Sequence, residues 1–120
     1  MFNNPSVICL SVGKKAPKRP SITKTVDKEY VLTRSRKGAK LKEEVWETED
    51  GEVVGYSLAY INHRICGMDN GRVLGYDIKH EYHHRHFMRT VEPIEFENYG
   101  VLSRHFYAEV YELWKEEEQK

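Results

Sequence analysis

The sequence predicts an α+β domain, an antiparallel meander of four to five strands with one C-terminal amphipathic helix packed on it. Two observations lead to this class. Between residues 30 and 96, apolar and polar residues alternate in short runs, and the turn dipeptides Asp50-Gly51 and Asn70-Gly71 separate successive runs. From Ser103 onward the apolar residues take a helical spacing instead. The length of 120 residues fits a single domain.

The strands are predicted from this alternation. Five runs are candidates, namely Tyr30–Arg34, Leu41–Glu49, Val54–Ile61, Val73–Asp77 and Val91–Phe96. In the third run, Tyr56, Leu58 and Tyr60 share one face, because side chains alternate along a strand. Pro93 has no backbone N–H to donate, so it restricts the last run to an edge of the sheet.

The C-terminal helix is predicted to begin near Ser103, whose side chain is available as an N-cap. The opposite face of the helix is acidic, which suits exposure to water. We expect Leu58 of the sheet to pack against the apolar face of the helix, which consists of Leu102, Phe106, Val110, Leu113 and Trp114.

The first 28 residues are predicted to be a flexible or partly extended basic arm, followed by a single domain over residues 29–120. The arm contains six Lys and Arg against one Asp, a charge of +5, so the remaining residues carry −5 in a chain of net charge zero. It also contains Pro17 and Pro20. Two interpretations stay open, a solubilising tail (or an incorrectly assigned start codon) and a segment that follows nucleic-acid phosphates.

Composition excludes several classes. The longest weakly polar run, Val53–Ile61, has about half of the ~20 residues that a membrane span needs. The first 13 residues lack the basic start and continuous apolar stretch of a secretory signal. Cys9 and Cys66 are too few to staple a secreted scaffold of this size. We therefore expect a cytoplasmic protein.

Four of the six histidines fall between His80 and His86, which we predict to be a loop after a strand. Three uses of this cluster are open. Neutral imidazoles are common zinc ligands, although the spacing is cramped and no CxxC or HExxH motif accompanies it. Imidazoles also exchange protons near neutral pH while neighbouring arginines hold a phosphate. In the third case the histidines simply point to water.

The same stretch resembles a known family. The string GRVLGYD at residues 71–77, HHRH at residues 83–86, EP at residues 92–93 and the following helix resemble the TumE-type toxins of toxin–antitoxin modules. The resemblance covers residues 27–120 in order of elements and residues 71–93 in motif. It implies a small toxin that pairs with a helix-turn-helix antitoxin and acts on RNA like the RelE-like endoribonucleases. Ile78 departs from the asparagine that the family usually has there.

These residues lead to an endoribonuclease hypothesis that needs neither metal nor cofactor, because the RNA 2′-hydroxyl is the nucleophile. His84 and His86 are predicted as acid and base, Arg85 as a phosphate ligand and Asp77 as the carboxylate that orients a histidine. These side chains must meet in one cleft, which requires the loop to bend. Further contacts to RNA are predicted for Arg72, Tyr76, Lys79, Tyr82 and Arg89.

The alternative is a non-catalytic module that binds nucleic acid or protein, with or without a zinc ion held by histidines. The two hypotheses share RNA or an antitoxin as partner, and neither involves a membrane. The sequence leaves a homodimer open.

Overall fold

The computed structural model describes residues 21–79 and 81–119, and these form one six-stranded sheet with a helix on one face. The sheet order equals the chain order, and each strand pairs antiparallel with the next, so the topology is a meander. The α+β class is confirmed, with six strands rather than four or five. The elements are β1 (Ile22–Val31), β2 (Lys40–Thr48), β3 (Val53–Ile61), β4 (Arg72–Lys79), β5 (Tyr82–Phe87), β6 (Thr90–Pro93) and α1 (Tyr99–Glu118).

The first strand begins earlier than predicted. β1 pairs with β2 from Ile22 opposite Thr48 to Val31 opposite Lys40, so residues 22–28, which we had assigned to the basic arm, lie in the sheet. Charged residues hide this strand from pattern analysis, because an edge strand tolerates them on both faces. Nearly all of its side chains are exposed. The rest of the predicted arm, residues 1–20, lies outside the described residues.

The predicted histidine loop is wrong over most of its length. Residues 82–87 form β5, which pairs with β4 from Lys79 opposite Tyr82 to Leu74 opposite Phe87. Glu81 takes a left-handed conformation (φ 68°) in the tight connection between the two strands. Consecutive polar residues give no alternation to detect, so this extra strand was missed.

The helix and the core agree with the predicted apolar faces. Leu58 and Phe106 are both fully buried, and α1 lies across β3 and β4. The helix begins one turn before the predicted Ser103, because the Asn98 side chain caps it by accepting a hydrogen bond from the Val101 N–H (2.9 Å). Within the described part of the chain, no helix is long and apolar enough to cross a membrane.

The sheet therefore has two different faces. We call the side covered by α1 the helix face and the opposite side the open face. Side chains along β4 and β5 alternate between the two. This alternation decides where each predicted site residue lies.

Candidate functional site

The predicted site residues divide between the two faces of the sheet. On the open face, His84 lies opposite Asp77 in the β4–β5 ladder. On the helix face, Arg85 lies opposite Tyr76. The predicted single cleft is therefore not formed, because residues 84–86 belong to an extended strand and adjacent side chains point in opposite directions.

On the open face, three side chains form a closed hydrogen-bonded network. His86 Nε2 lies 3.2 Å from Asp77 Oδ1, and Arg72 Nη1 donates to Asp77 Oδ2 at 3.2 Å. Arg72 Nη2 lies 3.0 Å from His86 Nδ1. A guanidinium can only donate, so Nδ1 accepts, and Nε2 carries the hydrogen that is donated to Asp77. The two neighbours thus select one neutral tautomer of His86.

Arg72 is held by a second carboxylate on its other side. Its Nε donates to Asp69 Oδ2 at 2.9 Å and its Nη2 to Asp69 Oδ1 at 3.2 Å. Asp69 also lies 3.9 Å from His86 Nδ1. We define the open-face cluster as Asp69, Arg72, Asp77, His84 and His86.

Local structure places Arg72 over the sheet. The register between β3 and β4 shifts after the Tyr60–Leu74 pair, so that Ile61 faces Arg72. The arginine side chain then crosses Gly75, where an added Cβ would lie 2.5 Å from Arg72 Cδ and 3.1 Å from the backbone oxygen of Leu58. Only a glycine lets the side chain pass this close to the strand, which gives Gly75 a role in building the cluster.

His84 belongs to the open-face cluster but lies outside the hydrogen-bonded network. Its ring centroid lies 6.5 Å from that of His86, with the ring planes inclined by 56°. Among the residues whose side chains the structure describes, none forms a hydrogen bond with the His84 ring. The cluster therefore contains a half-buried imidazole, His84, beside a second one that a carboxylate orients. Two such rings can exchange protons with a group bound between them.

On the helix face, Arg85 is held by two carboxylates. Its Nη2 donates to Glu109 Oε2 at 2.6 Å and its Nη1 to Glu92 Oε1 at 3.0 Å. The Tyr76 hydroxyl donates to Glu109 Oε1. These contacts join β4, β5 and β6 to the helix, so Arg85 stabilises the packing of α1.

The pKa values on the helix face follow from these contacts. Burial alone would raise the pKa of Glu109, but the hydrogen bonds from Arg85 and Tyr76 outweigh it and lower that pKa below its ordinary value. The hydrogen bond to Glu109 raises the pKa of Arg85, and burial raises the pKa of the Tyr76 phenol. The network is therefore charged as an arginine–glutamate pair at neutral pH.

His83 also belongs to the helix face, away from the other strand histidines. Its Nδ1 lies 2.7 Å from the Tyr56 hydroxyl, and its ring stacks on Phe96 with centroids 4.1 Å apart. Burial, and secondarily the charge of His84, lower the pKa of His83. This histidine is part of the packing between the sheet and the segment after β6.

The remaining predicted RNA contacts are dispersed. Tyr82 begins β5 with 68% of its surface exposed, and it shares the face of His84 because it is two residues away. Arg89 is exposed in the turn between β5 and β6, with a left-handed φ of 66°. Lys79 lies at the end of β4, where its backbone pairs with Tyr82.

Three carboxylates of these networks, Asp69, Glu92 and Glu109, are not among the predicted site residues. Glu92 was noted only as part of the EP motif. Asp69 had a detectable signal, since it stands three residues before Arg72 at the Asn70-Gly71 turn. Glu109 had none, because it lies among several acidic residues on the helix and 24 positions from Arg85. The contact between Glu109 and Arg85 exists only once the helix has docked on the sheet.

Among residues 21–79 and 81–119, no three His, Cys, Asp or Glu side chains converge in a way that could hold a metal ion. Comparisons of the chain with protein-family models, with curated proteins and with solved structures gave no match. The resemblance to TumE-type toxins thus stays a prediction from the motif at residues 71–93.

Proposed function

We propose that the protein is a small toxin of a toxin–antitoxin module and cleaves RNA without a metal ion at the open-face cluster. The observation that carries this proposal is the pair of imidazoles, His84 and His86, 6.5 Å apart beside the Arg72 guanidinium. In such a module its protein partner would be a helix-turn-helix antitoxin.

The chemistry needs only the groups of this cluster and the RNA itself. The 2′-hydroxyl oxygen forms a bond to the adjacent phosphorus as the bond from phosphorus to the 5′-oxygen breaks. One histidine takes the proton from the 2′-hydroxyl and the other gives a proton to the departing 5′-oxygen. The products are a 2′,3′-cyclic phosphate and a 5′-hydroxyl end.

His86 becomes available for this role when Arg72 changes partner. A phosphate competes for the Arg72 guanidinium, which then releases His86 Nδ1. Asp77 keeps its hydrogen bond to Nε2 and stabilises the imidazolium that forms when Nδ1 takes a proton. Arg72 meanwhile neutralises the charge that grows on the phosphate. The exposed ring of Tyr82 offers a stacking surface for a base beside His84.

Arg85 has no role in this version of the mechanism. It lies on the helix face, where Glu109 and Glu92 hold it. The proposal therefore differs from the catalytic set expected from the sequence, which placed Arg85 on the phosphate.

The ion pairs favour a second candidate, a non-catalytic module that binds protein instead of RNA. Arg72 and Arg85, which we expected to bind phosphate, are both paired with carboxylates. Nearby on the open face, Lys24 pairs with Glu44 at 2.5 Å. A surface whose cations are neutralised in this way attracts RNA less strongly than an unpaired basic patch.

The test is cleavage of a mixed-sequence single-stranded RNA by the full-length protein in the presence of chelator. We expect cleavage that leaves cyclic phosphate ends, and none of the matched 2′-deoxy strand, which lacks the nucleophile. His84→Ala and His86→Ala should each lower the rate at least ~100-fold, the usual scale for a general acid or base. His105→Ala is the matched control, because this histidine is exposed on α1, on the other side of the sheet.

RNA that is bound but never cut would replace the nuclease with a module that binds nucleic acid. Neither binding nor cleavage would contradict the nuclease and leave the protein-binding module. Loss of activity in Arg85→Ala, with fold and melting temperature unchanged, would contradict the assignment of the site to the open face.

A further inference from the structure

A groove runs along the helix face on the side that α1 leaves uncovered. The helix lies over β3 and β4, so the faces of β5 and β6 next to it are only partly covered. Two cavities of about 590 and 390 Å³ adjoin here, and both are bordered by Arg85 and His105. Together they form one groove between α1, β5 and the segment that follows β6.

The floor of the groove is apolar. Five of its side chains are only half-buried, whereas the core residue Phe106 is fully buried. They are Ile94, Phe96 and Val101 in the larger cavity and Phe87 and Leu113 in the smaller. Covering such a surface with an apolar segment lowers the free energy of the system.

The rim of the groove is acidic. Among the described residues that line it, the carboxylates are Glu95 and Glu97 in the larger cavity and Glu109, Glu112 and Glu116 in the smaller. The lining contains one guanidinium, Arg85, and Glu109 and Glu92 already pair with it. An occupant that is apolar in one part and positively charged in another would match this groove.

The chain's own N-terminal residues have that composition. Residues 1–20 contain Lys14, Lys15, Lys18 and Arg19 and no Asp or Glu, and the run Val7–Leu10 is apolar. Their charge of +4 is opposite to the net charge of the groove lining.

The geometry of the sheet allows this segment to reach the groove. Ile22 pairs with Thr48, and the successive ladders lead from there to Pro93, so the start of β1 and the end of β6 lie at the same end of the sheet. Six strands span about 24 Å at the usual spacing. The twelve residues 10–21, from the end of the apolar run to the start of β1, can span about 40 Å when extended, which exceeds the width of the sheet.

We propose that residues 1–20 bind in this groove, with Val7–Leu10 against the apolar floor and the four cations facing Glu95 and Glu97. The contact covers the helix face and leaves the open face uncovered. The proposed contact is therefore independent of the proposed nuclease activity, and an experiment can contradict one of the two proposals without the other.

Limited digestion of the full-length chain with trypsin tests the contact, with cleavage after Lys14, Lys15 and Lys18 followed by mass spectrometry. The double variant Glu95→Gln, Glu97→Gln should be cut at these sites about fivefold faster than the wild type, because cleavage follows the population in which the segment is released. The matched control is Glu49→Gln, Asp50→Asn, which neutralises two exposed acids at the same end of the sheet.

A second measurement identifies where the segment binds. Zero-length carbodiimide coupling of a mixture of ¹⁴N- and ¹⁵N-labelled chains should join Lys14, Lys15 or Lys18 to Glu95 or Glu97 within chains of one label. Links between differently labelled chains would mean that the groove takes the segment of a second copy, and they would overturn the proposal. Equal digestion rates in the two double variants, or links only to other carboxylates, would overturn it as well.

Discussion

Arg85 and His86 are adjacent in the chain, yet they bind carboxylates on opposite faces of the sheet. Arg85 Nη2 lies 2.6 Å from Glu109 Oε2 on the helix face, and His86 Nε2 lies 3.2 Å from Asp77 Oδ1 on the open face. Alternation along β5 causes this separation. Substitutions at the two positions should therefore affect different properties, stability at residue 85 and chemistry at residue 86.

The first prediction concerns the core. Phe106 is fully buried between α1 and the sheet, so Phe106→Ala should lower the free energy of unfolding by about 3–5 kcal/mol. Urea denaturation measures this. Tyr111→Ala is the control, because 60% of the Tyr111 surface is exposed and its loss should change stability by less than about 0.5 kcal/mol. Equal effects of the two substitutions would contradict the packing of the helix described here.

The second prediction concerns the Arg85–Glu109 pair. Glu109→Gln should lower the free energy of unfolding at neutral pH by about 1–3 kcal/mol, because a charge-assisted hydrogen bond to a mostly buried arginine is lost. Since the folded state lowers the pKa of Glu109 below its ordinary 4.5, the stabilisation is present above that pH. It disappears as the pH falls through the folded-state pKa.

The difference between Glu109→Gln and the wild type should accordingly shrink in acid, which denaturation curves at pH 7 and near pH 3 will show. Glu112→Gln is the matched control, because 63% of the Glu112 side chain is exposed. If Glu109→Gln lowers the free energy of unfolding by the same amount at both pH values, the Glu109 charge does not stabilise the fold.

The third prediction concerns His83. Burial lowers its pKa below the ordinary 6.5, so the unfolded chain binds a proton in a pH range where the folded state does not. Stability should thus decline as the pH falls from about 7 through the lowered pKa. A proton NMR titration should give a midpoint for His83 below 6.5, and a midpoint at or above 6.5 would be incompatible with this account.

His83→Phe should remove that part of the pH dependence, because phenylalanine keeps the stacking on Phe96 but does not titrate. Tyr56→Phe is the control variant. It removes the hydrogen bond to His83 Nδ1 but leaves the ring buried, and since burial is the main cause of the lowered pKa, the pH dependence should persist.

Much of the fold could be predicted from the sequence, because apolar periodicity is a local property. Alternation over residues 54–61 and helical spacing around Phe106 place Leu58 and Phe106 in the core, and both are buried there. Asp50-Gly51 lies in the predicted turn between β2 and β3, where Gly51 has a positive φ angle. Asn70-Gly71 does not form the predicted hairpin turn, because residues 62–71 connect β3 to β4 and the dipeptide lies in a 3₁₀ segment at the end of this connection. The first part of β1 and all of β5 escaped prediction because their polar residues carry no such pattern.

The sequence alone identifies the chemical groups near residues 72–86, namely imidazoles, guanidinium groups and carboxylates. Which of these groups meet depends on the tertiary structure. The β4–β5 ladder brings His86 to Asp77, and the docking of α1 brings Glu109 to Arg85. The physical reason is that the direction of a side chain depends on strand register and helix packing. Both arise from contacts between residues distant in the chain, which no local pattern encodes.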